Sequence, residues 1–440
     1  MPDSEPKLRR ELGLRDVTLF AIACIVGVRW ISSAAHAGPG SISLWVLGAV
    51  FFVAPIAATV GALVVKYPGA GGLYVWTRED FGPWHGFLCF WIYWMSIAFW
   101  YPSAAIFYMG SALHAVGWSE SRLWLLAAAL LAIWIALGTN LIGMKIGKWT
   151  ENLGGAAMWT LSAMFVLIAA IVWYRRGPAT PLRILPHWSW DSVNLWATVA
   201  YAMTGLELAG MMSAEIRDPD RTLPRAGWIS SACITVFYAS TTTALLVLLR
   251  PDQISDMSGL SQTGDEAARV LGLRWLAPLV ALLVMASGMG QLGGLGTGAS
   301  RLPFAAAADG LLPAAFARVH PRWGTPYLSI LMMAGVATVL LVAYQIGDTL
   351  RAAYQTLVSM MVIAGFLPFI YIFGSGWKAG KRLSAISGWA VTAMALFCAV
   401  VPTDEISSVW LFEAKLALGT GALVGSAWLM YRNGARAGSI

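Results

Sequence analysis

Two charged side chains stand in the middle of long apolar runs. Arg29 lies in AIACIVGVRWISSAAHAGPG and Glu207 in LWATVAYAMTGLELAGMMS. A charge at mid-depth in a bilayer is expensive, so intramembrane ionisable groups mark substrate or ion pathways. Arg29 is too far from either end of its run to reach water by snorkelling. Its planar guanidinium suits a bound carboxylate, and it suits equally an internal ion pair with Glu207; both readings stand. Glu207 is a candidate proton-coupling group, or a plain partner for Arg29 or for freed backbone N–H groups. Each charge sits beside residues that interrupt a helix: Gly27, Ser32 and Ser33 in the first run, Thr204 and Gly205 in the second. A helix broken inside lipid bares backbone groups, tolerated only where they line a cavity. There, half-helix N-terminal ends near Arg29 and Ser32 attract a carboxylate, and carbonyls freed around Gly27 and Thr204 suit an ammonium. The hydroxyls of Ser32, Ser33 and Thr204 serve a ligand or cap the backbone, capping being the commoner use. Trp30 and Tyr201 flank the two breaks, in a chain rich in aromatics.

No catalytic, cofactor or metal constellation accompanies them. HExxH, GxSxG and P-loop lysine patterns are absent. Cys24, Cys89, Cys233 and Cys398 stand singly, without metal-ligand or disulfide spacing. The chain reads as neither an enzyme nor a metalloprotein.

The elements that must hold these residues are membrane spans. Over 440 residues, 58% are hydrophobic and 12% charged, against about 25% charged in an ordinary soluble domain. So few charges cannot cover a soluble fold, and a disordered chain or a nucleic-acid binder is excluded with it. Apolar runs long enough to cross a bilayer fall near 17–38, 43–65, 84–114, 122–142, 152–174, 192–213, 226–249, 275–300, 327–346, 353–373, 384–402 and 409–431. The predicted fold is an all-α integral membrane protein of about 12 transmembrane helices. Lys and Arg concentrate in alternate separators, which puts both termini in the cytoplasm. The leading MPDSEPKLRRELGLRD is charged and lacks the apolar region of a signal peptide.

The interrupted runs are the first and the sixth, at matching places in two five-helix halves, which points to an inverted-repeat transporter core. The expected organisation is a cytoplasmic segment 1–16, a first repeat 17–174, a second, inverted repeat 192–373, two peripheral helices 384–431 and a tail 432–440. Gly290, Gly294 and Gly298 form a small-residue stripe suited to close helix packing. Glu215, Arg217, Asp218 and Arg225, opposite Arg301 and Asp309, read as a cytoplasmic latch.

Three stretches carry a family resemblance: YAMTGLELAGMMSAEIRDPDRTLPRA (201–226), GTGASRLPFAAAADGLLPAAFARVHPRWGTPYLSI (296–330) and GGLYVWTREDFGPWHGFLCFWIYW (71–94). They resemble the sixth span with its acidic–basic–proline signature, the eighth-to-ninth span region, and the approach to the third span of the amino acid–polyamine–organocation superfamily of permeases. The resemblance implies a ten-helix core plus two peripheral helices, carrying amino acids or amines. It also implies that an aromatic at Tyr201 closes over substrate and that an acid at Glu207 is proton-sensitive. Two departures stand out. Where that family reads like GSGIF, this chain has Gly27-Val28-Arg29-Trp30-Ile31, and where some members carry a lysine in the fifth span it has Met158.

The expected function is a secondary active transporter in the cell membrane, moving a zwitterionic amino acid by alternating access, proton-linked or by exchange, without sodium. The expected substrate-binding set is Gly27, Arg29, Trp30, Ser32, Ser33, Tyr201, Thr204, Gly205 and Glu207. An amine or polyamine permease and a transporter-like amino acid sensor are the alternatives. The partners implied are a small-molecule substrate and the lipid bilayer.

Overall fold

A backbone in lipid must satisfy its own N–H and C=O groups, and the apolar runs do so as α-helices. The computed structural model describes residues 12–67, 72–117, 121–142, 144–182, 185, 197–211, 216–255, 257–343, 345–346, 349–402, 406 and 408–437. Every expected apolar run meets helix within its described residues. The first is split into α1 (Leu14–Ile25) and α2 (Arg29–His36). Then come α3 (Ser41–Lys66), which winds as a π-helix over Ala49–Val53, and a short α4 (Gly72–Phe81). Next are α5 (Pro83–Ala115), α6 (Arg122–Ile142) and α7 (Met144–Arg176). The sixth run is helical over 197–201 and again in α8 (Leu206–Met211). It is followed by α9 (Pro219–Leu248), α10 (Gly259–Leu271), α11 (Leu276–Ala299) and α12 (Arg301–Ala308). The chain closes with α13 (Tyr327–Ala343), α14 (Leu350–Lys378), α15 (Arg382–Val400) and α16 (Val409–Ala437).

Among the described residues, seven of these helices are long and apolar enough to cross a membrane: α3, α6, α7, α9, α11, α14 and α15. Of the seven, α14 is the most enclosed, with 83% of its apolar window buried, so it runs through the middle of the bundle. Helix α7 meets α11 through glycines. A Cβ on Gly290 would stand 2.7 Å from the Gly154 Cα, and one on Gly154 would stand 2.6 Å from the Gly290 Cα. No larger residue fits either place, so Gly290 of the stripe read from the sequence serves close helix packing. Gly294 faces Glu151 on the same helix, while nothing stands within 4 Å of a Cβ on Gly298.

Among the described residues three α-helices lie outside the expected runs: α4, α10 and α12. Helix α4 is clamped by charge. Asp80 Oδ1 accepts from Tyr67 Oη at 2.7 Å and from Lys66 Nζ at 3.0 Å, both at the end of α3. Lys378, at the end of α14, donates to the Asp80 carbonyl. Burial pushes the Asp80 carboxyl up, but the hydrogen bonds from Tyr67 and Lys66 outweigh it and hold the group below its usual range. Asp309 stands 4.0 Å from Arg78 of α4. Glu215 and the Arg301 side chain lie outside the described residues, so the latch expected around them is not described. Arg217 instead ties the segment ahead of α9 to the one ahead of α1, its backbone N–H donating to Leu12 O at 2.8 Å.

Candidate functional site

Both breaks fall where the interrupting residues stand. The first span opens at residues 26–28, between α1 and α2. The sixth opens at 202–205, and Gly205 takes φ +122°, a conformation closed to residues with a Cβ. Glu207 sits in the first turn of α8 beyond that opening.

The freed backbone groups are already held by the protein. Gly27 N–H donates to Tyr238 Oη at 2.9 Å, and Tyr238 O–H faces Ile25 O at 3.0 Å with Ala202 O at 3.4 Å. One buried hydroxyl on α9 thus joins the openings of both broken spans. Its ring is fixed by stacking on Trp45 of α3, centroids 4.2 Å apart and planes at 13°. Gln291 Nε2 on α11 donates to Val26 O at 2.7 Å, and Tyr108 Oη of α5 donates to Gln291 Oε1 at 2.6 Å. The carbonyls expected to meet a ligand's ammonium around Gly27 already accept from side chains at Ile25 and Val26. The Gly27 N–H is likewise taken. Gly27 is small because a Cβ there would stand 2.9 Å from both Gln291 Nε2 and Trp30 Nε1.

Arg29, the first residue of α2, is fully buried at 0% exposure. It does not pair with Glu207: no ion pair within 4.0 Å joins them, and among the described residues no acid lies that close to the guanidinium. Its surroundings are neutral. Nη1 donates to Ser103 Oγ of α5 at 2.9 Å, Nη2 to Met361 Sδ of α14 at 3.0 Å, and Nε has no hydrogen-bond partner. The guanidinium carbon lies 3.8 Å from the Trp30 ring centroid and 5.4 Å from that of Trp100, within cation–π range.

Glu207, also buried, has other partners. Oε1 accepts from Tyr93 Oη of α5 at 2.9 Å, and Oε2 from the Gly205 N–H at 2.9 Å. The acid caps its own helix start.

The other expected residues divide. Trp30 and Tyr201 meet, ring centroids 5.7 Å apart, so the aromatics of the two broken spans share one wall with Arg29. Tyr201 and Thr204 keep part of their surface exposed. Thr204 Oγ1 donates to Tyr201 O at 2.8 Å, the capping use. Ser32 and Ser33 are buried. Ser32 lies against α10, where a Cβ on Gly259 would stand 3.0 Å from its Oγ, so it faces the connecting helix. Sequence reasoning missed Tyr238, Gln291, Tyr93, Ser103 and Met361. Each is one polar or sulfur-bearing residue among several in its helix, far along the chain from its partner, and no motif marks it.

Two discontinuous helices meeting at a buried polar centre, within an all-helical membrane bundle, define a multi-pass membrane transporter. The chain belongs to the amino acid permease family, whose model matches residues 12–420. An uncharacterized transporter of Legionella pneumophila is 25% identical, the match covering 96% of each chain. A serine/threonine exchanger of Bacillus subtilis is 25% identical over 76% of this chain and 77% of its own. A probable agmatine/putrescine antiporter of Lactococcus lactis is 23% identical over 82% of this chain and 78% of its own.

Proposed function

We propose that this permease carries a zwitterionic amino acid, its carboxylate held by Arg29 between the two broken spans. One observation carries the reading: a permanently charged, fully buried guanidinium surrounded by neutral groups, with its Nε nitrogen left without a hydrogen-bond partner. A planar fork of donors fits a carboxylate. In this chain Tyr238 has taken the backbone N–H that a broken first span offers. The ammonium end then faces the partly exposed Thr204 and the ring of Tyr201, where cation–π attraction is available.

The relatives divide between a carrier of amino acids and one of diamines. Arg29 favours the first class, because a dication without a carboxylate would meet a like charge in a poorly screened site. The same charge makes a sodium ion unnecessary and unwelcome nearby. Glu207, buried beside the opening of the sixth span, is the proton-sensitive candidate. The chain sits in the cell membrane with both termini cytoplasmic, as the distribution of Lys and Arg supports.

The test is competition in proteoliposomes. Unlabelled amino acids should displace a transported labelled amino acid, while the amines made by removing their carboxylate should not. Equal competition by agmatine or putrescine would overturn the assignment.

A further inference from the structure

Helices α7 and α9 are tied together at two levels, and a gap lies between the ties. At the lower level Trp159 and Phe237 meet edge to face, ring centroids 4.9 Å apart, and Ser162 Oγ and Thr241 Oγ1 hydrogen-bond at 2.5 Å. At the upper level the chain leaving α7 folds back over the end of α9. There Ala179 N–H donates to Val247 O at 2.9 Å and Thr180 N–H to Leu246 O at 3.1 Å. Between the ties is a cavity of about 340 Å³, lined by Val166, Ala170 and Trp173 of α7 and by Ser240, Thr243 and Ala244 of α9. Small side chains on both helices make the gap. Ala170 and Trp173 are exposed, so the slot opens sideways, which in a membrane-spanning chain means towards lipid. None of these residues belongs to the centre around Arg29.

We propose that this slot binds one acyl chain of an anionic phospholipid, whose phosphate lies against Arg175 and Arg176. From Val166 to Trp173 the slot runs about 10 Å at 1.5 Å per residue, most of the roughly 15 Å that one leaflet contributes to a bilayer's apolar core. Spread over that length, 340 Å³ leaves a cross-section of about 30 Å². That is too narrow for a second helix, about 10 Å across, and wide enough for a hydrocarbon chain. The rim supplies the head-group chemistry. Helix α7 ends in Trp173, Tyr174, Arg175 and Arg176, two aromatics of the interfacial kind followed by two bases. Arg176 pairs with Glu266 at 3.0 Å, and Arg250, just past α9, with Asp252 at 3.2 Å. Arg175 is exposed, and among the described residues no acid lies within 4.0 Å of it. A base without a counter-charge at head-group level favours an anionic lipid. The bound chain packs against Ser240, two residues from Tyr238, whose hydroxyl joins the openings of both broken spans. The lipid therefore braces the helix that carries that pin.

The experiment uses the full chain in detergent, with dioleoyl phosphatidylglycerol and dioleoyl phosphatidylcholine as probes of matched chains and different charge. Native mass spectrometry counts the lipids retained, and thermal unfolding reads their effect on Tm. Wild type should retain phosphatidylglycerol about fivefold more tightly than phosphatidylcholine, the weight of one base at an anionic surface, with a matching rise in Tm. Arg175→Gln should bring the two lipids level. Ala170→Phe fills the slot at an exposed position, so it should retain one phosphatidylglycerol fewer and lose the rise in Tm. Leu167→Phe adds the same ring at an exposed position of α7 outside the lining, and should behave as wild type. Ser240→Leu fills the slot from α9 and gives the same reading should Ala170→Phe fail to fold. Equal retention of the two lipids by wild type overturns the proposal. So does a folded slot-filling variant that retains as many phosphatidylglycerols as wild type. A wild-type dimer that the slot-filling variants dissolve, with no lipid retained, overturns it in favour of a second copy of the chain.

Discussion

Removing one hydroxyl, Tyr238→Phe, tests how the two broken spans are held. The ring and its 4.2 Å stack on Trp45 survive the change, so packing is nearly constant. What is lost is the acceptor for Gly27 N–H at 2.9 Å and the donor to Ile25 O at 3.0 Å, with Ala202 O at 3.4 Å contributing little. Two interhelical hydrogen bonds at the average measured inside membranes amount to about 1 kcal/mol. Stranding two buried backbone groups is worse, about 1–3 kcal/mol each. Both groups sit where no water-facing surface is available, so the larger figure applies and the expected loss is about 2–6 kcal/mol. Thermal unfolding in detergent should show a clear fall in Tm. Amino acid affinity measured on the same samples should stay within about threefold, a shift under 1 kcal/mol, because Arg29 rather than Gly27 holds the carboxylate. An unchanged Tm together with a large loss of affinity would refute the reasoning. Tyr238 would then be a substrate contact and not the pin of the two openings.

Other perturbations follow from the same geometry. Replacing sodium with choline should leave the initial rate of uptake unchanged in proteoliposomes; a clear loss would mean that a cation site exists in spite of Arg29. Glu207→Gln should flatten the dependence of transport rate on pH while leaving substrate binding measurable, and a profile that tracks wild type would make Glu207 purely the cap of α8. Asp80 has a folded-state pKa below its unfolded value, so its contribution is present at neutral pH and lost as pH falls through the lowered value, below about 4. Asp80→Asn should therefore unfold at lower temperature than wild type at pH 7, the gap closing under acid; an equal gap at both pH values would rule out the clamp's charge. Gly290→Val should separate α7 from α11, because its Cβ would stand 2.7 Å from a backbone atom, and poor expression or a strongly lowered Tm is expected.

The two openings were legible because their causes are local. Gly27, Arg29 and Gly205 break an apolar pattern within a few residues, and the apolar runs around them have the length a bilayer demands. Gly290, the partner of Gly154 on α11, was legible for the same reason. The ion pair between Arg29 and Glu207, held open from the sequence, does not form. Both residues lie beside the openings, but Glu207 is held by the Gly205 N–H and by Tyr93 of α5, and Arg29 by Ser103 of α5 and Met361 of α14. A list of charges at similar depth contains no side-chain direction. The capping residues were out of reach for another reason. Tyr238 and Gln291 serve partners more than two hundred positions away, and one tyrosine among thirteen carries no mark. Helix α4 was read as part of the approach to the third span, because GGLYVWTREDF is short and mixed in character; its anchoring by Lys66, Tyr67 and Lys378 is a tertiary feature.

The central claim is that the Arg29 guanidinium holds the substrate carboxylate. It is tested most directly by binding an amino acid and its carboxamide to wild type and to Arg29→Gln. In wild type the carboxamide should bind far more weakly, since a charge-assisted fork is lost, at about 1.5–3 kcal/mol for a hydrogen bond to a charged group. In Arg29→Gln the two ligands should bind almost equally, both weakly. If the ratio of the two affinities is the same in both proteins, Arg29 does not contact the carboxylate.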